Sequence, residues 1–143
     1  MVETPAAALT AHTLAKHVDF FSLGTNDLTQ YVLAVDRGNA MVTDLFSSAE
    51  PSVLCLIKNV IEKAKEYNID LSVCGEMASN PRYVMLLLGM GVRSLSITSS
   101  RILEVKEIIR SVTLEQCEKI ASQVLAMESE GEITDYLIEK SRD

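Results

Sequence analysis

The chain has 143 residues, 48% of them hydrophobic and 23% charged, the composition of one globular domain with a core of its own. Its net charge of −7 and pI near 4.8 come without a basic cluster, so nucleic acid is not an expected partner. No apolar stretch reaches the ~20 residues of a membrane span, and the start lacks the basic-then-apolar pattern of a secretion signal.

Taken in chain order, Met1-Val2 running into Glu3 reads as the end of a first strand. Pro5 opens a helix to about Lys16, since a proline's missing N–H has no partner in a first turn anyway. Val18 to Leu23 is β-branched and aromatic and reads as a second strand buried on both faces. The pattern admits a helix over Leu28 to Val35, broken by the loop Asp36-Arg37-Gly38-Asn39. Pro51 starts a longer helix to about Tyr67, with Val53, Leu56, Ile57, Val60, Ile61 and Ala64 on one face and Asn68 ending it. Leu71 to Cys74 is a third strand. Asn80-Pro81 caps a helix that ends at Gly89-Met90-Gly91, with Met85 to Met90 as core packing. Leu95 to Thr98 is a fourth strand, and Ser99 or Ser100 caps a helix from Arg101 to Ile109, with Ile102, Val105, Ile108 and Ile109 inward. Two further helices follow: Thr113 with Gln116 resembles a capping box, and Glu132 to Glu139 is amphipathic.

Strands alternating with helices give parallel pairing and right-handed crossovers. A whole (β/α)8 barrel needs about 250 residues. The expected fold is therefore α/β, the last half of such a TIM barrel. It has four parallel strands alternating with helices, plus C-terminal helices, as one domain over residues 1–143. A half barrel has two exposed edge strands, which invite pairing with another chain, so a homo-oligomer is expected.

Each apolar run ends in polar residues suited to chemistry, and a barrel gathers its active site at the C-terminal ends of its strands. Glu3 and Asp27 would then share one rim. Two carboxylates there fit Mg2+, which takes oxygen ligands and leaves places for water and phosphate; the alternatives are a frayed terminal residue and a helix N-cap. Asn26 is either a donor to a phosphoryl oxygen or a turn residue. Arg37 can grip a phosphate or carboxylate bidentately, or pair locally with Asp36. Cys74, between Val73 and Gly75, is either a small buried hydrophobe or a group that gives or takes a proton. Cys55 on an apolar helix face and Cys117 on a tail helix read as packing residues. The three cysteines are odd in number and form no CxxC pair, so neither a disulfide framework nor a zinc site is expected, and reduced thiols suit the cytoplasm. His12 and His17 read as helix-surface histidines.

The run Phe20-Phe21-Ser22-Leu23-Gly24-Thr25-Asn26-Asp27-Leu28-Thr29-Gln30-Tyr31, continuing to Ala34-Val35-Asp36-Arg37-Gly38-Asn39, resembles the signature of PEP-utilising enzymes. Its wording is that of enzyme I of the bacterial phosphotransferase system (PTS). Glu3-Thr4-Pro5-Ala6-Ala7, Ser72-Val73-Cys74-Gly75-Glu76-Met77-Ala78 and Leu86-Leu87-Leu88-Gly89-Met90-Gly91 carry the likeness further, the second leaning toward the nitrogen-related branch.

The resemblance implies a PEP-binding barrel that dimerises, with phosphoenolpyruvate and pyruvate as ligands. It implies Glu3 and Asp27 as Mg2+ ligands, Asn26 and Arg37 on the PEP phosphate, and Cys74 as the acid that protonates the enolpyruvate carbon. A phosphocarrier protein like HPr would be served through an N-terminal histidine domain that this sequence lacks, as it lacks the family's earlier arginines. Met1 falls where the family has an internal residue, so a truncated product or an excised fragment is expected, inactive alone. Glu50-Pro51 stands where relatives have His-Pro, Ser79-Asn80 where Gly-Asp is frequent, and Ser96-Ile97-Thr98-Ser99 where Ser-Met-Ser-Ala is usual. Phosphoenolpyruvate synthase and pyruvate phosphate dikinase share the Asn-Asp-Leu-Thr-Gln core, and a non-catalytic dimerisation or regulatory remnant is a third alternative.

Overall fold

The computed structural model describes residues 1–141. Its sheet is built on two parallel strands, β1 (Phe20–Gly24) and β2 (Asp70–Cys74), in a register running from Phe20 opposite Asp70 to Gly24 opposite Cys74. Alternation explains both strands: Phe21, Leu23 and Val73 are buried, while Ser22 and Ser72 between them are half-buried. Single-residue parallel bridges flank the ladder, Val2 to Leu23 on one side and Leu95 to Val73 on the other. Val2 N–H donates to Ser22 O at 2.8 Å and Gly24 N–H to Val2 O at 2.9 Å. On the other side Val73 N–H donates to Ser94 O at 3.0 Å and Ser96 N–H to Val73 O at 2.8 Å. The four expected strands are thus two strands and two bridges. Pairing stops after Val2 because Thr4 already caps a helix, its hydroxyl accepting from Ala7 N–H at 3.2 Å. It stops after Leu95 as the chain turns into a 3-10 helix at Ser99–Arg101.

The helices are α1 (Pro5–Leu9), α2 (Ala11–Leu14), α3 (Thr25–Leu33), α4 (Pro51–Glu66), α5 (Glu76–Ser79), α6 (Pro81–Met90), α7 (Ile102–Ser111), α8 (Leu114–Val124) and α9 (Glu130–Lys140). One core joins the buried strand residues to Val53, Leu54, Ile57 and Val60 of α4 and to Leu86 and Leu87 of α6. The caps read from the sequence form. Asn80 Oδ1 accepts from Arg82 N–H at 3.1 Å, and Thr113 and Gln116 make the reciprocal capping box.

Several expectations are corrected. The single helix to Lys16 is two, broken at Thr10, whose hydroxyl bonds back to Ala6 O at 2.8 Å. The second strand starts at Phe20 rather than Val18 and is covered on one face only, leaving Phe20 63% exposed. The helix expected at Leu28 begins at Thr25, so Asn26 and Asp27 lie in a first helical turn. Leu54 rather than Leu56 completes the buried stripe of α4, and Cys55, next to it in sequence, points outward and is exposed. No serine caps α7: Arg101 holds the cap position after the 3-10 turn, and only Val105 of the four expected inward residues is buried. An amphipathic period fixes a stripe but not whether a neighbour covers it, and nothing covers Ile102 and Ile109 fully.

Gly89 is where α6 and α8 come closest. A Cβ there would lie 1.9 Å from Cys117 O and 2.9 Å from Ala121 Cβ. Cys117 is fully buried, and that burial pushes its thiol pKa up, as expected of a packing residue. Alanine normally gains about 1 kcal/mol over glycine inside a helix. Gly89→Ala should instead destabilise the protein, with overpacking costing at least about 1–3 kcal/mol in urea unfolding; equal or greater stability would contradict this approach.

The tail is fastened by Glu130, whose Oε1 accepts from Thr134 Oγ1 at 2.6 Å and from Ser47 Oγ at 2.7 Å. The Thr134 hydroxyl and then Ser47 hold this carboxyl below its ordinary value of 4.5. A pKa lower in the folded than in the unfolded state means stability present above the ordinary value and lost as pH falls from there through the lower folded value. On acidification through the carboxylate range, the wild type should therefore lose stability more steeply than Glu130→Gln; parallel curves would refute the assignment.

Candidate functional site

The C-terminal ends of β1 and β2 lie level because Gly24 pairs with Cys74. The turns leaving the two strands are bonded across the pair. Thr25 Oγ1, fully buried, donates to Cys74 O at 2.9 Å. Asn26 Oδ1 accepts from Glu76 N–H at 2.9 Å. Gly75 lies beneath both side chains at φ 101°, and a Cβ on it would come within 2.6 Å of Thr25 Oγ1 and 2.8 Å of Asn26 Oδ1. A side chain at this position is excluded twice, by conformation and by space.

Cys74 is half-buried, and its thiol donates to Leu23 O at 3.4 Å with Ser22 Oγ 3.8 Å away. Glu3 lies across the other edge of β1, since a Cβ on Gly24 would meet its Oε2 at 2.8 Å. Asp27, in the third position of α3, faces Arg37 from the following loop, Oδ1 to Nη2 3.6 Å. The local Arg37–Asp36 pair does not form, because the Asp36 carboxylate instead accepts from Gly38 N–H at 2.8 Å. The Asp27–Arg37 pair is about two-fifths exposed on both sides and long for a charge-assisted bond. Such a pair is worth about 0–1 kcal/mol and is readily exchanged for other partners.

Asn26 and Cys74 share the wall of a rim depression of about 850 Å³ with Ser96, Arg82 and Arg101; Glu3, Asp27 and Arg37 are not on that wall. A larger hollow of about 1000 Å³ opens at the opposite ends of the strands, beside Phe20 and Asp70. Among the described residues no group of three or more His, Cys, Asp or Glu side chains is placed to hold a metal ion. A Mg2+ site needs only one or two carboxylates beside water and substrate oxygens. Glu3, against Gly24, and Asp27, in the first turn of α3, are hard oxygen donors of the kind such a site takes.

Sequence reasoning missed Thr25, which makes one cross-strand tie, Gly75, which makes room for both ties, and the guanidinium groups of Arg82 and Arg101. The available signal was adjacency: Thr25 precedes Asn26 and Gly75 follows Cys74.

Residues 1–114 match the family described as PEP-utilising enzyme, PEP-binding domain. The chain belongs to that family. Curated relatives named phosphoenolpyruvate-protein phosphotransferase are 47% identical over 137 residues in Buchnera aphidicola subsp. Schizaphis graminum, 45% over 136 in Borreliella burgdorferi and 46% over 140 in Haemophilus influenzae. These matches cover 96%, 95% and 98% of this chain, and the chain spans 24% of the length of each relative. In this PEP-binding domain the matched residues include every rim group described above, whereas α9 lies beyond them.

Gly75→Ala should cost about 1–3 kcal/mol in denaturant unfolding, the range for forcing a side chain into left-handed backbone. A loss within error of zero would mean that Thr25 and Asn26 are not seated over this glycine.

Proposed function

We propose that this chain is the C-terminal half of a PEP-binding (β/α)8 barrel with four parallel strands, part of a PTS enzyme I. The full-length protein transfers the phosphoryl group of phosphoenolpyruvate to its own histidine and then to an HPr-like carrier. The register Gly24–Cys74 is the observation that carries the reading, because it sets the Asn26-Asp27 turn and the cysteine at one strand end. The order Val2, β1, β2, Leu95, parallel throughout, supports the half-barrel topology. No helix of the described residues is long and apolar enough to cross a membrane; a cytoplasmic homo-oligomer accords with this reading.

The contacts of these residues support a role for each. Asn26 Oδ1 is occupied by Glu76 N–H, so the amide NH2 is the end turned to donate to a phosphoryl oxygen. Arg37 exchanges its loose contact with Asp27 for the phosphate. Glu3 and Asp27 would hold Mg2+, which would supply neutralisation of phosphoryl charge. Phosphoryl transfer depends on such neutralisation and on positioning more than on covalent chemistry by the protein. Cys74 carries a proton on Sγ, donated to Leu23 O in the absence of ligand, and delivers it to the methylene carbon as enolpyruvate becomes pyruvate.

A ligand bound only by the folded state stabilises by about 2.7 kcal/mol at a hundredfold excess over Kd. Thermal melts should show an upshift of the wild type that needs both Mg2+ and PEP and is abolished in Asp27→Ala; a shift retained in Asp27→Ala would remove Asp27 from the site. In the full-length enzyme, Cys74→Ala should abolish turnover and leave PEP affinity intact, and equal loss of both would refute the proton-donor role.

A further inference from the structure

The loop over residues 34–50 carries Arg37 and has little to hold it. Of its residues only Val35 and Ala49 are buried, and Met41 is 89% exposed. Its order comes from a line of hydrogen bonds. Arg37 N–H donates to Gln30 Oε1 at 3.2 Å, and Thr43 Oγ1 donates to Arg37 O at 3.1 Å. Thr43 opens the 3-10 turn Thr43–Leu45, closed by Phe46 N–H to Thr43 O at 3.0 Å. The next residue, Ser47, donates to Glu130 Oε1 at 2.7 Å and accepts from Ala49 N–H at 3.2 Å. Ser48 Oγ lies 3.4 Å from Thr29 Oγ1 of α3.

Glu130 is thus the one charged group bonded to the far end of this loop among the described residues, and it comes from α9, 83 residues along the chain. The bond is charge-assisted, about twice as strong as a neutral one. Thr134, one turn along α9, fixes the same carboxylate oxygen, so the carboxylate does not swing freely.

We infer that Glu130 is a positioning residue: through Ser47 and the 3-10 turn it holds the Arg37 loop against α3, so the C-terminal helix sets the phosphate-binding arm. The inference rests on the reading of Arg37 as that arm. It assigns α9, which lies outside the family match, a part in ligand binding rather than only in closing the core. The relay runs by a hydrogen bond from Glu130 to Ser47, along the chain to Phe46, and by hydrogen bonds again to Thr43 and Arg37.

The test pairs hydrogen exchange with ligand-induced stabilisation in Glu130→Ala, Ser47→Ala and Glu130→Gln. Ser47→Ala cuts the same bond without touching α9, and Glu130→Gln keeps a carbonyl oxygen to accept it. Both alanine variants should raise amide exchange over residues 37–46 by about tenfold, with α8 amides unchanged. Both should weaken the response to PEP with Mg2+ by about tenfold in apparent affinity, and Glu130→Gln should restore both readouts toward wild type. Unchanged loop exchange in the alanine variants would overturn the anchor, as would a loosened loop with undiminished ligand response. A wild type that ignores PEP and Mg2+ while its alanine variants loosen the loop would uphold the anchor and instead sink the PEP reading.

Discussion

Parallel pairing of β1 with β2 sets the height of the Asn26 turn and of Cys74 at the rim. With Gly24 opposite Cys74, the hydroxyl of Thr25 reaches back to Cys74 O and the amide of Asn26 reaches Glu76 N–H. A slip of one residue would turn Cys74 toward the helices and Val73 toward the rim, because side chains alternate along a strand. The two ties resist that slip from the loop side, and Phe21, Leu23 and Val73 resist it from the core side. Both sheet faces therefore agree on one register, and the chemistry inherits its geometry from packing.

Two glycines permit the close approaches this needs, for different reasons. Gly75 supplies a backbone conformation and an empty position beneath Thr25 and Asn26. Gly89 supplies only space, letting α8 lie against α6 so that Cys117 is sealed in the core. The first shapes the rim and the second closes the domain behind it.

Much of the architecture is legible in the sequence because its signals are local. Pro5, Pro51, Pro81, the Asn80 cap and the Thr113–Gln116 box each mark a helix start within a few residues. The start of α3 escaped because Gly24, its cap, offers no side chain to recognise. The orientation of α7 escaped because periodicity cannot report whether a neighbour exists. At the site, adjacency suggested Asp36 as partner for Arg37, but a nearer bond to Gly38 N–H occupies Asp36. Contacts such as Ser47 to Glu130 join segments too distant in sequence for any local pattern to announce.

If Asp27 and Arg37 hold metal and phosphate as proposed, the long contact between them also bears on how charge would enter this rim. Each group is the other's counterion. An anion arriving alone would draw away the guanidinium and strand a carboxylate; a cation arriving alone would do the reverse. When the two arrive together, both protein charges change partners and neither is left bare. On the proposed reading, a metal and a phosphate bound together would let both charges change partners at once, a modest coupling of their affinities in keeping with so exposed a pair.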